Sequence, residues 1–229
     1  MRLLALDTAL DACSVAVLDT EGGMLAQESQ ALGRGHAEAL MPMLARVMAG
    51  AGLAFADLDR IAVTVGPGSF TGLRVALAAA RGIALAAGKP VVGLTTLACY
   101  AAPALAQDGT RPVAAAIDAR HGHVYFQAFA VGGAPLAAPA VLPLAEAAQA
   151  AAGLAHCRLA GDAATLLAAQ WPADAAPPAA VVTAGAPDIA WVARLGALAD
   201  AGSGPPRPLY LRAADARPQA VAGLPRTGG

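Results

Sequence analysis

The 229 residues suffice for one large domain or two small ones sharing a core. With 57% hydrophobic but only 4% aromatic and 14% charged residues, much of the apolar content is alanine, which favours helices and close packing of small side chains. A net charge of −1 argues against a free-standing nucleic-acid binder, whose affinity comes mainly from cations meeting phosphates, so any RNA contact has to be shared with a partner.

"RLLALD" (Arg2–Asp7) is an apolar run ending in an acid, too short and too soon interrupted for a signal peptide or a membrane span. "CSVAVLD" (Cys13–Asp19) and "MLAQES" (Met24–Ser29) complete a three-stranded meander. His36–Ala49 carries Leu40, Leu44, Val47 and Met48 at helical spacing, with Pro42 in its first turn or kinking it. "RIAVTV" (Arg60–Val65) reads as a buried strand, and Thr71–Ala87 as a helix closed by Gly88 and Pro90. After a short strand "VVGL" and a helix over Thr95–Ala106, the pattern restarts: "VAAAID" (Val113–Asp118), "HVYFQAFAV" (His123–Val131), "APAVLP", then helical patterns from Leu144 and Asp188. A duplicated β-β-β-α-β-α unit is expected, with Asp7 and Asp118 at equivalent strand ends. The division is 1–108, 109–216 and a loose tail over 217–229. Cys13, Cys99 and Cys157 have no metal-ligand spacing and fit reduced thiols in a cytosol. A cytoplasmic location without membrane association is the expectation.

The segment "VTVGPGSFTGLR" sets Gly66, Pro67, Gly68 and Ser69 between a strand and a helix, where phosphates are often held. A P-loop needs a lysine after its last glycine, yet Leu73 and Arg74 follow Gly72. The glycines are spaced Gly-x-Gly-x-x-x-Gly, one residue too long for a dinucleotide fingerprint. Pro67 and Thr71 stand where a hydrolase elbow requires glycine around Ser69. What survives is a tight turn with Ser69 or Thr71 capping the helix. Along that helix Gly72, Ala76, Ala80, Ala84 and Gly88 form a stripe of small side chains, open to close approach by this chain's own elements or by a partner's helix.

His36 has Leu40 where a His-x-x-x-His metal clamp needs its second ligand. Asp118, Arg120, His121 and His123 read either as polar residues fixing a hairpin turn around Gly122 or as a degenerate phosphate or metal site. Asp7-Thr8 followed by Ser14 resembles the first phosphate hairpin of actin-like ATPases, without that hairpin's glycines.

"LALDTALDACSVAVLD", "GHAEALMP", "VGPGSFTGLRVALAAARGIA", "IDARHGHVYFQ" and "PLYLR" occur in order, and in them the chain resembles the TsaB (YeaZ) family. The resemblance implies a two-lobed, actin-like (sugar-kinase-like) α/β fold. It also implies a non-catalytic scaffold role beside the transferase TsaD and the small ATPase TsaE in threonylcarbamoyl transfer to the anticodon-adjacent adenosine of ANN-decoding tRNAs. No cofactor of its own is then expected; ATP and metal belong to partner subunits, and tRNA is met only through the complex. Docking to TsaD, or to a second copy, is expected on the two N-lobe helices, through His36, Leu40, Leu44 and Val47 on one and Gly72, Ala76 and Ala80 on the other. Gly66, Pro67, Gly68 and Ser69 shape that helix's start; Asp7, Thr8, Asp118 and Arg120 are the degenerate phosphate or metal site. Family members commonly carry an acid where His123 stands. Alternatives are a stand-alone actin-like ATPase or small-molecule kinase, a homodimeric structural protein, and a peptidase, for which no triad, zinc motif or activated cysteine can be assembled.

Overall fold

The computed structural model describes residues 1–200, 202 and 204–212; the tail expected over 217–229 lies outside them. The first half runs β1 (Arg2–Asp7), β2 (Ala12–Asp19), β3 (Gly23–Ala31), α1 (His36–Ala51), β4 (Arg60–Gly66), α2 (Phe70–Ala87), β5 (Val91–Thr95) and α3 (Thr96–Gln107). The second runs β6 (Val113–Asp118), β7 (His123–Phe129), β8 (Ala140–Pro143), α4 (Leu144–Ala152), β9 (Arg158–Ala160), α5 (Ala164–Ala169), β10 (Ala180–Val182) and α6 (Ile189–Leu198). The repeated unit is therefore βββαβα extended by one further strand and helix in each half. The sheets have equivalent orders, β3-β2-β1-β4-β5 and β8-β7-β6-β9-β10.

Local chemistry sets most boundaries. Ser69 caps α2, its side chain accepting from the Gly72 N–H at 3.2 Å, so the cap is Ser69 rather than Thr71. Thr95 does the same for α3. Gly52 and Gly88 close α1 and α2 in left-handed conformation. Pro42 lies beyond the first turn of α1, on its solvent side, where its ring disturbs no packed neighbour.

The central strands are apolar on both faces, as strands covered from two sides must be. Strand alternation divides each sheet between two cores. In the first sheet Leu4, Leu6, Val15, Val17, Ile61 and Val63 meet α1 and α2, while Leu3, Ala5, Ala16 and Ala62 face the other way. That second face is covered by Ile189, Val192 and Ala193 of α6, the last helix of the other half. Reciprocally, α3 of the first half lays Leu97, Tyr100, Ala101 and Ala104 on Val113, Ala115 and Ile117 of the second sheet. Each sheet takes its strands from one side of residue 108, and the closing helices are exchanged. The approach is close: a Cβ on Gly196 of α6 would overlap the Ala62 side chain.

Neither half can bury both faces of its sheet alone. A fragment ending at Gln107 or Asp108 should lack a cooperative thermal transition by circular dichroism, and adding the second half should restore one. Gly196→Val, which overpacks the exchanged contact, should destabilise the whole chain in a single transition, by about 1–3 kcal/mol or more.

Candidate functional site

In its sequence the helix after the glycine loop looks ready to hold an anion; in the fold it is seated on protein. The Ser69 N–H donates to the Ala9 carbonyl at 2.7 Å, and Thr8 Oγ1 donates to the Gly72 carbonyl at 2.6 Å. Thr8 Oγ1 also accepts from the Ala76 N–H at 3.2 Å. A Cβ on Gly68 would overlap the Ala9 carbonyl oxygen, and one on Gly72 the Thr8 carbonyl oxygen. These glycines let the start of α2 lie directly on the β1–β2 turn. Gly66, at φ 107, turns the chain out of β4 under Leu209, whose N–H donates to Val65 O at 2.7 Å.

The same contact seals Asp7, which is wholly buried. Its Oδ1 accepts from Thr64 Oγ1 at 2.5 Å and from the Ala9 N–H at 3.0 Å, while Oδ2 has no partner. Burial pushes the Asp7 carboxyl above the usual carboxylate range, against the lowering effect of the Thr64 and Ala9 hydrogen bonds and of His36.

Asp118, at the equivalent end of β6, has another fate. It lines a cleft of about 300 Å³ between the lobes, with Arg120, Asp11, Ser69, Asp162 and Tyr210 among its neighbours. The Arg120 N–H donates to Asp118 Oδ1 at 2.8 Å, and the guanidinium stands 3.5 Å from Oδ2. Arg120 and His121 take left-handed conformations, and the His123 ring meets the His121 carbonyl at 2.8 Å. The cluster closes its own hairpin turn. Asp7 and Thr8 are thus not joined with Asp118 and Arg120 in one pocket. Among the described residues no group of three or more His, Cys, Asp or Glu side chains is arranged to hold a metal.

Two features of the cleft were not singled out from the sequence. Asp162 follows Gly161, at φ 114, just as Pro67 follows Gly66 in the first half; burial raises its carboxyl, opposed chiefly by the Asp118 N–H bound at 3.0 Å. Phe70, Arg74 and Tyr210 form a stack, with ring centroids 5.1 Å apart and the guanidinium 3.7 Å over Phe70. The i, i+4 spacing of Phe70 and Arg74 was the available signal.

The expected docking residues require correction. Leu40, Leu44, Val47, Gly72, Ala76 and Ala80 are buried in the chain's own core, against β1, β2 and β4. His36 turns inward, its Nε2 2.9 Å from the Leu10 carbonyl. The strongest apolar periodicity marks the face that packs on the sheet, so these side chains are unavailable to a partner in the folded chain. The outward face of α1 and α2 is nevertheless apolar. Met41, Phe55, Ala79, Gly82, Ile83 and Ala86 line a recess of about 390 Å³, and Met41 is 54% exposed. Helix α2 has the length and hydropathy of a membrane span, yet its inner side belongs to this core. The three thiols are buried, and burial pushes Cys13 and Cys157 up to about 11, so none is an activated nucleophile.

Two sheets of equivalent order, each covered by its own helices and by one exchanged helix, define the two-lobed actin-like fold. A family model described as "TsaD: tRNA N6-adenosine threonylcarbamoyltransferase" matches residues 15–185. The chain is 40% identical over 126 residues to the tRNA threonylcarbamoyladenosine biosynthesis protein TsaB of Escherichia coli (strain K12), covering 55% of this chain and 54% of that protein. It is 41% identical over 130 residues to the protein of the same name from Haemophilus influenzae, covering 55% and 52%. The solved structure of YeaZ from Pseudomonas aeruginosa is 31% identical, with a TM-score of 0.73 over 92% of this chain and 99% of that one. The chain belongs to the TsaB (YeaZ) family, within the broader family that the TsaD model describes. Its matches span about half the length of the curated relatives.

The sealed carboxyl yields a pH test. Asp7 titrates above its ordinary 3.8 when folded, so the stability it contributes is full below that value and is lost as pH rises through the folded value. Asp7→Asn is neutral throughout. Its stability relative to wild type should therefore improve as pH rises from about 4 through the folded value of Asp7, measured by urea unfolding. A relative loss over that interval would mean that Asp7 is held charged.

Proposed function

We propose that this chain is a non-catalytic scaffold subunit for tRNA threonylcarbamoyladenosine synthesis, docking a TsaD-type transferase through the outward face of α1 and α2. TsaE joins the pair, ATP and metal reside on the partner subunits, and tRNA is met through the complex, in the cytoplasm. One observation carries the reading: the start of α2 occupies the β1–β2 turn with its own backbone while an apolar recess on the other side of the same helix is left uncovered. The names of the relatives supply the pathway. Small residues such as Ala79, Gly82 and Ala86 let another helix come close, and the same face suits a second copy across a two-fold axis.

Substitutions on the two faces of α1 and α2 separate folding from docking. Ala76→Arg and Leu44→Glu put charge into the core and should unfold the chain. Met41→Glu and Gly82→Arg, on the outward face, should leave a folded monomer with unchanged circular dichroism. An unpaired charge forced into an interface costs on the order of 2–5 kcal/mol, so co-purification with the cognate TsaD should be lost, and reconstituted tRNA modification with it. A folded Met41→Glu, Gly82→Arg protein that binds TsaD with wild-type affinity would place the docking surface elsewhere.

A further inference from the structure

At the opposite end of the second sheet from the cleft, the residues just before β6, β9 and β10 border an open polar pocket of about 680 Å³. Arg158, at the start of β9, is only 7% exposed, yet its side chain lines this pocket. Its Nη1 donates to the Ala104 carbonyl at 2.8 Å and its Nη2 to Gln107 Oε1, both neutral acceptors. Among the described residues no carboxylate forms an ion pair with it. A guanidinium carries five N–H donors and keeps its charge at any physiological pH, and a buried charge without a counter-charge is costly.

The rest of the pocket adds a second guanidinium and an imidazole ring. Arg111 and His156 line it, His156 held at φ 51. The pocket's acid, Asp108, is engaged within its own loop: Oδ1 accepts from the Thr110 N–H and hydroxyl at 3.1 and 2.6 Å, and Oδ2 pairs with Arg111, accepting from its Nε at 3.0 Å. Two guanidiniums and an imidazole from two chain segments, 107–111 and 156–158, thus converge on one space whose single lining carboxylate is already satisfied within its own loop. We propose that this pocket binds a phosphate group, as a free phosphorylated small molecule or as a backbone phosphate of RNA. Forked guanidinium donors match the several acceptor oxygens of a phosphate, which a single carboxylate would not satisfy. The site is independent of the docking face and of the sealed β1–β2 turn.

Inorganic phosphate, titrated into the ¹⁵N-labelled full chain at constant ionic strength, should produce saturable shifts in the Arg158 Nε–Hε signal and in the amides of residues 107–111 and 156–158. Chloride at equal ionic strength should not. Arg111→Ser combined with His156→Ser, both at the pocket's rim, should weaken binding roughly tenfold or more while leaving the fold intact. Arg158→Lys, which keeps charge but loses the fork, should weaken it as well. A parallel titration with a short single-stranded RNA separates the sources. Tighter binding than phosphate with the same residues shifting identifies RNA backbone; phosphate binding without RNA binding identifies a small phosphorylated ligand. No saturable shift with either probe, or equal affinity in the Arg111→Ser, His156→Ser protein, would overturn the proposal.

Discussion

The backbone contact between Thr8–Ala9 and Gly68–Gly72 governs the chemistry of the first lobe. Two carbonyl oxygens of the β1–β2 turn lie where any side chain on those glycines would stand, and the Ser69 N–H and the Thr8 hydroxyl are used up across the same seam. A helix N-terminus of the kind that binds anions faces a protein carbonyl instead. Asp7 loses access to solvent as a direct result, and its carboxyl is driven towards the neutral form. The helix start is fixed, so the remaining surface of α2 is its outward side, where alanine and glycine leave a shallow apolar recess beside Met41.

The exchanged helices set the second constraint. Ala5, Ala16 and Ala62 are short on the face that receives α6, and Gly196 has no side chain where the helix comes nearest. The alanine-rich composition thus serves close packing between layers. The exchange makes the lobes interdependent and places the cleft between them at the C-terminal ends of β6 and β9, whereas the basic pocket lies at the opposite strand ends. The C-terminal segment closes the cleft's rim: Leu209 packs on the first core, Tyr210 stacks on Phe70, and the Arg212 guanidinium donates to the Ala119 carbonyl at 3.0 Å.

Strand alternation, glycine turns and caps made the first half legible, and the equivalent acids at Asp7 and Asp118 exposed the duplication. The fifth strand of the second sheet was harder: β10 is three residues long, in a stretch rich in alanine and proline. Helix exchange left no local trace, because a sheet apolar on both faces does not say which helix covers each. The docking residues went wrong for a related reason. On a helix as uniformly apolar as α2, the most regular stripe marks burial against the sheet, and the partner-facing side differs from it only in depth. Arg158 sits in "CRLAG" with the pattern of an ordinary strand residue, and only the fold shows that its charge has no carboxylate partner among the described residues.

The proposed scaffold role requires that the β1–β2 turn, which is filled by this chain's own backbone, serve no nucleotide. Equilibrium binding of ATP with Mg²⁺ to the purified full-length chain, read by calorimetry alongside phosphate release, tests it most directly. A small phosphate-type signal that disappears in the Arg111→Ser, His156→Ser protein would belong to the distal pocket. The account predicts no hydrolysis and no binding that responds to Asp7→Asn or to the start of α2. Stoichiometric ATP binding with turnover, abolished by Asp7→Asn in a folded protein, would contradict it.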